Sequence, residues 1–100
     1  MTLRHIVSWK LNGATREERD VQAERAIAAL VPLRESVPTV RALSVHRNEL
    51  FDGANFDLTL VADFDHAEGL EVYASHPTHL PVVALMQEIT AGRAATDFTL

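Results

Sequence analysis

The sequence of 100 residues contains no cysteine and has fewer basic residues (9) than acidic ones (14). The absence of cysteine excludes a disulfide scaffold, a thiolate metal site and a cysteine nucleophile. The net charge of -5 argues against the basic surface that binds nucleic acid or anionic membranes, so we expect neither partner. With 4 Gly, 4 Pro and 47% hydrophobic residues, the composition is typical of a globular chain rather than a disordered or fibrous one.

Long hydrophobic runs are also missing. The longest stretch without Asp, Glu, Lys or Arg covers residues 72–87, contains two His and two Pro, and is too short to cross a bilayer. Near the start, Ile6 and Val7 form the only apolar run before Ser8 and Lys10, so no signal-peptide core is predicted. We therefore expect a soluble, cytoplasmic protein with one domain over residues 1–100.

Hydrophobic periodicity predicts four strands and three helices in the order β-α-β-β-α-α-β. Residues Leu3 to Leu11 alternate with a period of two, which predicts a strand with its odd-numbered side chains inward. Thr15 and Glu18 form a capping-box pattern, so a helix is expected to begin there and to end at Pro32. The other predicted strands cover residues 40–48, 56–64 and 93–99, and the other predicted helices cover residues 67–75 and 79–90.

The same periodicity predicts the buried faces. On the first helix, we expect one stripe to face the sheet, formed by Val21, Ile27, Leu30 and Val31. From Phe56 to Phe64 every second residue is apolar, which indicates a strand with one buried face. Gly92 is the expected end of the last helix.

This element order favours an α+β, ferredoxin-like fold, a four-stranded antiparallel sheet with its helices on one face. In this arrangement we expect the first and last strands to be central, antiparallel neighbours. The opposite face of the sheet carries a mixture of polar and apolar residues: Ile6, Ser8, Ala42, Ser44, Thr59, Val61, Thr96 and Phe98. Such a face suits either a second subunit or solvent.

Three of the five histidines indicate a site. His5 points inward from the first strand, whereas His79 lies in the first turn of the last helix, where the helix field favours a neutral imidazole that can accept a proton. Tyr73, three residues before His76, could donate a hydrogen bond to a developing oxyanion. Asp97, on the strand expected beside the first, could fix the tautomer of His5.

Each of these residues also has a structural interpretation. His5 could be a core histidine bonded to a backbone carbonyl, His76 a helix cap, Tyr73 a boundary aromatic and Asp97 a surface ion-pair partner. A zinc site is disfavoured because His76 and His79 lack the i, i+4 spacing of a helical ligand pair, so no metal or cofactor is expected. The two remaining histidines, His46 and His66, are expected to face solvent.

Four segments in this order resemble the stress-responsive dimeric α/β barrel (Dabb) family over essentially the whole chain: Arg4-His-Ile-Val, Asp57-Leu-Thr-Leu-Val-Ala-Asp-Phe, Tyr73-Ala-Ser-His-Pro-Thr-His and Thr96-Asp-Phe. The resemblance implies a ferredoxin-like subunit that forms a homodimeric α/β barrel through its sheets. It also implies relatedness to olivetolic acid cyclase, which closes a polyketide ring without a cofactor. The roles of its catalytic histidine and tyrosine would fall on His79 and Tyr73, with His5 beside them in the pocket.

Two departures from that cyclase argue against a long polyketide ligand. Residues 22–29 of the first helix contain no bulky aromatic, and Trp9 occupies a strand position that is usually aliphatic. We therefore expect a small apolar or phenolic carbonyl ligand in a pocket lined by Val7, Trp9, Leu58, Leu60, His76 and Val83.

The leading hypothesis is cyclase or isomerase chemistry beside a carbonyl, with His79 as the base, Tyr73 as the oxyanion donor, and His5 with Asp97 as a positioning pair. Two alternatives remain open. One is a non-catalytic small-molecule-binding or stress-response protein. The other, by analogy of fold alone, is a cofactor-independent monooxygenase.

Overall fold

The computed structural model describes all 100 residues as four strands and four helices. In chain order these are β1 (Leu3–Leu11), α1 (Arg16–Leu30), α2 (Leu33–Ser36), β2 (Ala42–Arg47), β3 (Leu58–Phe64), α3 (Ala67–Ser75), α4 (Leu80–Ile89) and β4 (Thr90–Thr99). The four predicted strands and three predicted helices are all present, and the short helix α2 is an addition. None of the helices has the length and apolar character needed to cross a membrane.

The strands form one antiparallel sheet in the order β2-β3-β1-β4. This is the predicted α+β, ferredoxin-like arrangement. The first and last strands are antiparallel neighbours as predicted, but β4 lies at the edge of the sheet, and the central pair is β1 and β3. The prediction that β4 is central was wrong because β2 pairs with β3, so that no strand pairs with the outer edge of β4. The exposed position of β4 leaves both of its faces accessible over most of its length.

The hydrophobic core lies between the sheet and the helices. Alternate residues of β1 and β3 are buried there, and the four inward residues of β3 are nearly inaccessible: Leu58, Leu60, Ala62 and Phe64. Because the side chains of a strand alternate between faces, their neighbours lie on the open side of the sheet. The inward face predicted for these strands is confirmed, except that Phe56 precedes β3 and is exposed.

Helix α1 begins with the predicted capping box. The Thr15 hydroxyl accepts a hydrogen bond from the Glu18 amide at 3.1 Å, and the Glu18 carboxylate accepts from the amides of Ala14 and Thr15. These bonds satisfy backbone donors that the first turn of a helix leaves without partners. They fix the start of the helix at the residue that the sequence predicts.

The buried stripe predicted for α1 was wrong in its outer members. The helix buries Ala23, Ala26 and Leu30, whereas Val21 is 57% exposed and Val31 46% exposed. Two alanines on the inner face allow the helix to approach its neighbours closely. The apolar pattern misled because it gave the large valines more weight than the small residues.

The last helix passes directly into the last strand. Helix α4 ends at Ile89, and the following Thr90 already has the extended dihedral angles of a strand (φ -116°, ψ 151°). Gly92 therefore lies inside β4 and does not end the helix, contrary to the prediction. No loop separates α4 from β4, so residues 90–93 belong to the strand.

The open face of the sheet is mixed in character, as predicted. Ile6 is paired with Val61 in the register between β1 and β3, and the hydroxyls of Ser8 and Thr59 are 2.9 Å apart. Arg4 forms a bidentate ion pair with Asp63, with N–O distances of 2.8 and 3.0 Å. No helix covers these residues, and most of them are only partly buried within one chain.

Candidate functional site

A cavity of about 680 Å³ lies between the inner face of the sheet and helices α3 and α4. Of its 17 lining residues, 11 are hydrophobic, Tyr73 among them, and the others include His5 and His79. Ligand sites are characteristically concave, mostly apolar and supplied with a few convergent polar groups. The cavity is therefore the candidate functional site of this fold.

His79 is held at the junction of two helices. Helix α3 stops at Ser75 because Pro77 follows, and His76 adopts an extended conformation (φ -63°, ψ 137°). The amides of His79 and Leu80 both donate to the His76 carbonyl, which makes a tight turn into α4. His79 is the N-cap residue of α4. The helix begins at Leu80, one residue later than predicted.

A backbone carbonyl fixes the tautomer of His79. Its Nδ1 lies 3.1 Å from the carbonyl oxygen of Ala74. A carbonyl can only accept, so in the neutral ring Nδ1 carries the proton and donates it to this bond. The other nitrogen, Nε2, is then unprotonated and free to act as a base.

The pKa of His79 is lowered from its ordinary value, chiefly because burial disfavours the charged imidazolium. The bond to Ala74 opposes this shift, whereas electrostatic repulsion, from Arg93 among others, adds to it. The sequence predicted a neutral His79 because of the helix field, whereas the main cause of its lowered pKa is burial. Either way the imidazole is neutral near pH 7.

Tyr73 is buried close to both His5 and His79. Only 3% of the residue is exposed, and its ring centroid lies 4.2 Å from that of His79 and 6.4 Å from that of His5. On the other side, Phe64 packs edge-on against it at 5.4 Å. Burial raises the pKa of Tyr73 to about 12, so its hydroxyl keeps its proton at neutral pH and can donate it to a hydrogen bond.

His5 is paired with Asp97. The two residues are opposite each other in the register between β1 and β4, and His5 Nδ1 lies 2.5 Å from the Asp97 carboxylate. The carboxylate accepts from Nδ1–H, which orients the ring of the buried histidine. Asp97 itself does not line the cavity and is exposed on the edge strand, so it contacts the site through His5.

Four of the six pocket residues proposed from the sequence line the cavity: Val7, Trp9, Leu60 and Val83. Leu58 does not; it is buried in the core at the start of β3, two residues before Leu60. His76 does not either, because its Nδ1 accepts hydrogen bonds from the amide and hydroxyl of Thr78 within the turn. The predicted lining is corrected at these two positions.

Sequence reasoning missed Gln87, Thr90 and Arg93, which also line the cavity. Gln87 follows Val83 by one helical turn, so the spacing that selected Val83 could have selected it too. Arg93 is opposite Trp9 in the register between β1 and β4. Identifying it required knowing that β4 begins at Thr90, which no sequence signal indicates.

The remaining histidines lie outside the cavity. His46 and His66 are both exposed, as predicted; His46 bonds to the Ser44 hydroxyl, and His66 is the N-cap residue of α3. No group of three or more His, Asp or Glu side chains is arranged to hold a metal ion.

His79 is expected to titrate below its ordinary pKa of 6.5 and to carry its proton on Nδ1 when neutral. Because folding lowers this pKa, the neutral imidazole contributes stability above pH 6.5 that is lost as pH falls through the folded value. Nitrogen-15 NMR of the imidazole, recorded as the pH is varied through 6.5, measures the pKa and the position of the proton in the neutral ring. A pKa above 6.5, or a neutral ring protonated on Nε2, would contradict this geometry.

Comparison with known proteins gives a family and a fold. Residues 3–100 match the family model of the Stress Responsive A/B Barrel Domain (Dabb). A dimeric ferredoxin-like protein of unknown function from Bacteroides fragilis NCTC 9343 is 26% identical, with a TM-score of 0.88 over 99% of this chain and 96% of that one. A second, from Thermobifida fusca YX, is 29% identical, with a TM-score of 0.85 over 100% and 92%. The hydroxynitrile lyase of Passiflora edulis is 13% identical, with a TM-score of 0.82 over 99% and 93%. No curated protein matches the sequence.

Proposed function

Because the chain belongs to the stress-responsive A/B barrel domain (Dabb) family, we propose that it is a cytoplasmic homodimer that transfers protons beside the carbonyl group of a small ligand. The reaction class is cyclisation or isomerisation without a cofactor. The catalytic groups are His79 and Tyr73, and His5 with Asp97 positions the ligand. The observation that carries the proposal is the neutral imidazole of His79, with Nε2 free and its ring 4.2 Å from that of a protonated Tyr73 in the cavity lining.

The open face of the sheet supports the homodimer. It carries the mixed side chains of a partly polar interface, including Ile6, Val61 and the hydroxyls of Ser8 and Thr59. The similar proteins from Bacteroides fragilis and Thermobifida fusca are both described as dimeric. A second copy of this chain is therefore the partner that we propose for this face.

The proposed step is removal of a proton from the carbon next to the ligand carbonyl. Nε2 of His79 takes this proton, and the electron pair left behind forms an enolate. The Tyr73 hydroxyl donates a hydrogen bond to the enolate oxygen, where negative charge develops. The enolate then attacks a second carbonyl of the same ligand or regains its proton at another carbon, and the imidazolium of His79 returns the proton.

Two features of the site support this step. A general base must be unprotonated at the working pH, and the lowered pKa of His79 keeps it in the basic form. The phenol of Tyr73 is a donor because its pKa of about 12 keeps it protonated. Both groups face an apolar cavity, where hydrogen bonds and charges are less screened than in water.

A non-catalytic binding protein is the second candidate, and the apolar character of the cavity is the observation that favours it. In that function His5 and His79 would contact a bound ligand without moving its protons. The fold is compatible with either function. The Passiflora edulis hydroxynitrile lyase shares the fold, but at 13% identity the likeness shows no more than that.

Hydrogen–deuterium exchange separates the two functions. The probe is β-benzoylpropionamide, an uncharged aryl ketone whose CH₂ group beside the carbonyl exchanges in D₂O. The enzymatic proposal predicts that the protein accelerates this exchange above buffer containing free imidazole at equal concentration, and equally in air and under argon. An amide that binds without accelerated exchange would contradict it and favour the binding protein, whereas a requirement for oxygen would favour an oxygenase.

A further inference from the structure

Arg93 is the only residue with a fixed charge in the lining of the cavity. No Asp or Glu lines it, although the chain contains 14 acidic residues and has a net charge of -5. Outside the lining, the 14 acidic residues outnumber the 8 remaining basic ones. The fixed charge of the cavity lining is therefore opposite in sign to the net charge of the protein, which favours an anionic ligand.

The guanidinium of Arg93 has no partner within the chain. Arg4, Arg41 and Arg47 donate to Asp63, Asp65 and Asp20 respectively, but no carboxylate lies within 4.0 Å of Arg93. An arginine on a cavity wall that lacks an internal acceptor keeps its five donors available to a ligand. Its charge also acts on the site, since it opposes the rise in the pKa of Tyr73 and adds to the fall in that of His79.

The position of Arg93 is fixed by the sheet. It is opposite Trp9 in the register between β1 and β4, whereas Asp97, the partner of His5, lies four residues further along the same strand. At about 3.3 Å per residue the two backbone positions are roughly 13 Å apart. Arg93 is thus set apart along the strand from the His5–Asp97 pair.

We propose that Arg93 binds the carboxylate of the ligand and that the substrates are oxo acids, with the ketone or aldehyde a few carbons away from the carboxylate. A single planar guanidinium matches a carboxylate through two parallel hydrogen bonds. A phosphate dianion is less well matched, because no second cation with a fixed charge lines the cavity. The separation along β4 between Arg93 and the His5–Asp97 pair, which lies near Tyr73, leaves space for a short carbon chain between the carboxylate and the carbonyl.

The identity of the reacting carbonyl rests on the proposed function, but recognition of the carboxylate does not. Measurements of ligand binding, which require no turnover, therefore test the recognition of the carboxylate. The probes are β-benzoylpropionate and its amide, which have the same shape and differ in charge. Their dissociation constants are measured by calorimetry with the wild-type protein, with Arg93→Gln and with Arg93→Lys. Arg25→Gln is the matched control, since Arg25 is exposed on α1, away from the cavity, and the substitution removes the same charge.

The acid is expected to bind the wild-type protein and Arg25→Gln at least about tenfold more tightly than the amide, as for a charge-assisted hydrogen bond. In Arg93→Gln this ratio should fall to about 1, with the affinity for the amide unchanged, and Arg93→Lys should keep part of it. A wild-type ratio near 1, failure of the acid to bind, or a ratio that survives in Arg93→Gln would overturn the proposal. Any of these results would leave the exchange test of His79 unaffected.

Discussion

Replacing His79 by glutamine is expected to lower the protein-catalysed exchange of β-benzoylpropionamide by about 10²–10⁴-fold, the usual contribution of a general base. The amide of glutamine lies at the position of Nε2 and is not basic, so the substitution removes the base. It keeps a polar side chain of similar length but does not reproduce the bond from Nδ1 to the Ala74 carbonyl.

The matched control is His66→Gln. His66 is exposed at the N-terminus of α3, makes no side-chain capping bond and lies outside the cavity. We expect its exchange rate to equal that of the wild-type protein, and near-ultraviolet circular dichroism should show that both variants fold. If His79→Gln retained the wild-type rate, His79 would not be the base.

The largest expected loss of stability follows from replacing Phe64 by alanine. Phe64 is completely buried on β3 and packs edge-on against Tyr73, with ring centroids 5.4 Å apart. Removing a buried phenylalanine ring loses its transfer free energy and leaves a void, which together cost about 3–5 kcal/mol. That is a large share of the roughly 5–15 kcal/mol by which a domain is stable.

Urea denaturation at one fixed protein concentration measures this loss, since association of subunits makes stability depend on concentration. Phe51→Ala is the control, because Phe51 is 74% exposed in the loop before β3. Its free energy of unfolding should change by less than about 0.5 kcal/mol, as is usual for surface positions. A similar, small loss in both variants would show that Phe64 is not part of a tightly packed core.

The regular elements could be predicted because their signals are local. Alternation in β1 and β3, the Thr15–Glu18 capping box and the proline after His76 each act within a few residues. The order of the strands and the buried face of α1 depend on contacts between distant segments. For that reason β4 was predicted at the centre of the sheet, and the buried Ala23 and Ala26 were overlooked.

The candidate site, too, could be predicted only in part. The sequence drew attention to His5, Tyr73 and His79 because their residue types are suited to proton transfer, and the structure brings all three to one cavity. It could not supply the Ala74 carbonyl that sets the tautomer of His79, since backbone acceptors leave no mark in a sequence. Nor could it supply Arg93, whose position depends on the direct passage from α4 into β4.

The pH dependence of the exchange reaction tests the central claim, that neutral His79 is the base. The rate of exchange of β-benzoylpropionamide, corrected for the buffer reaction, is measured across the range in which NMR titrates the His79 imidazole. The rate should rise with pH along a single ionisation, reach a plateau above pH 6.5 and have its midpoint at the NMR pKa of His79. A midpoint that differs from this pKa, or a rate that falls as His79 loses its proton, would contradict the account.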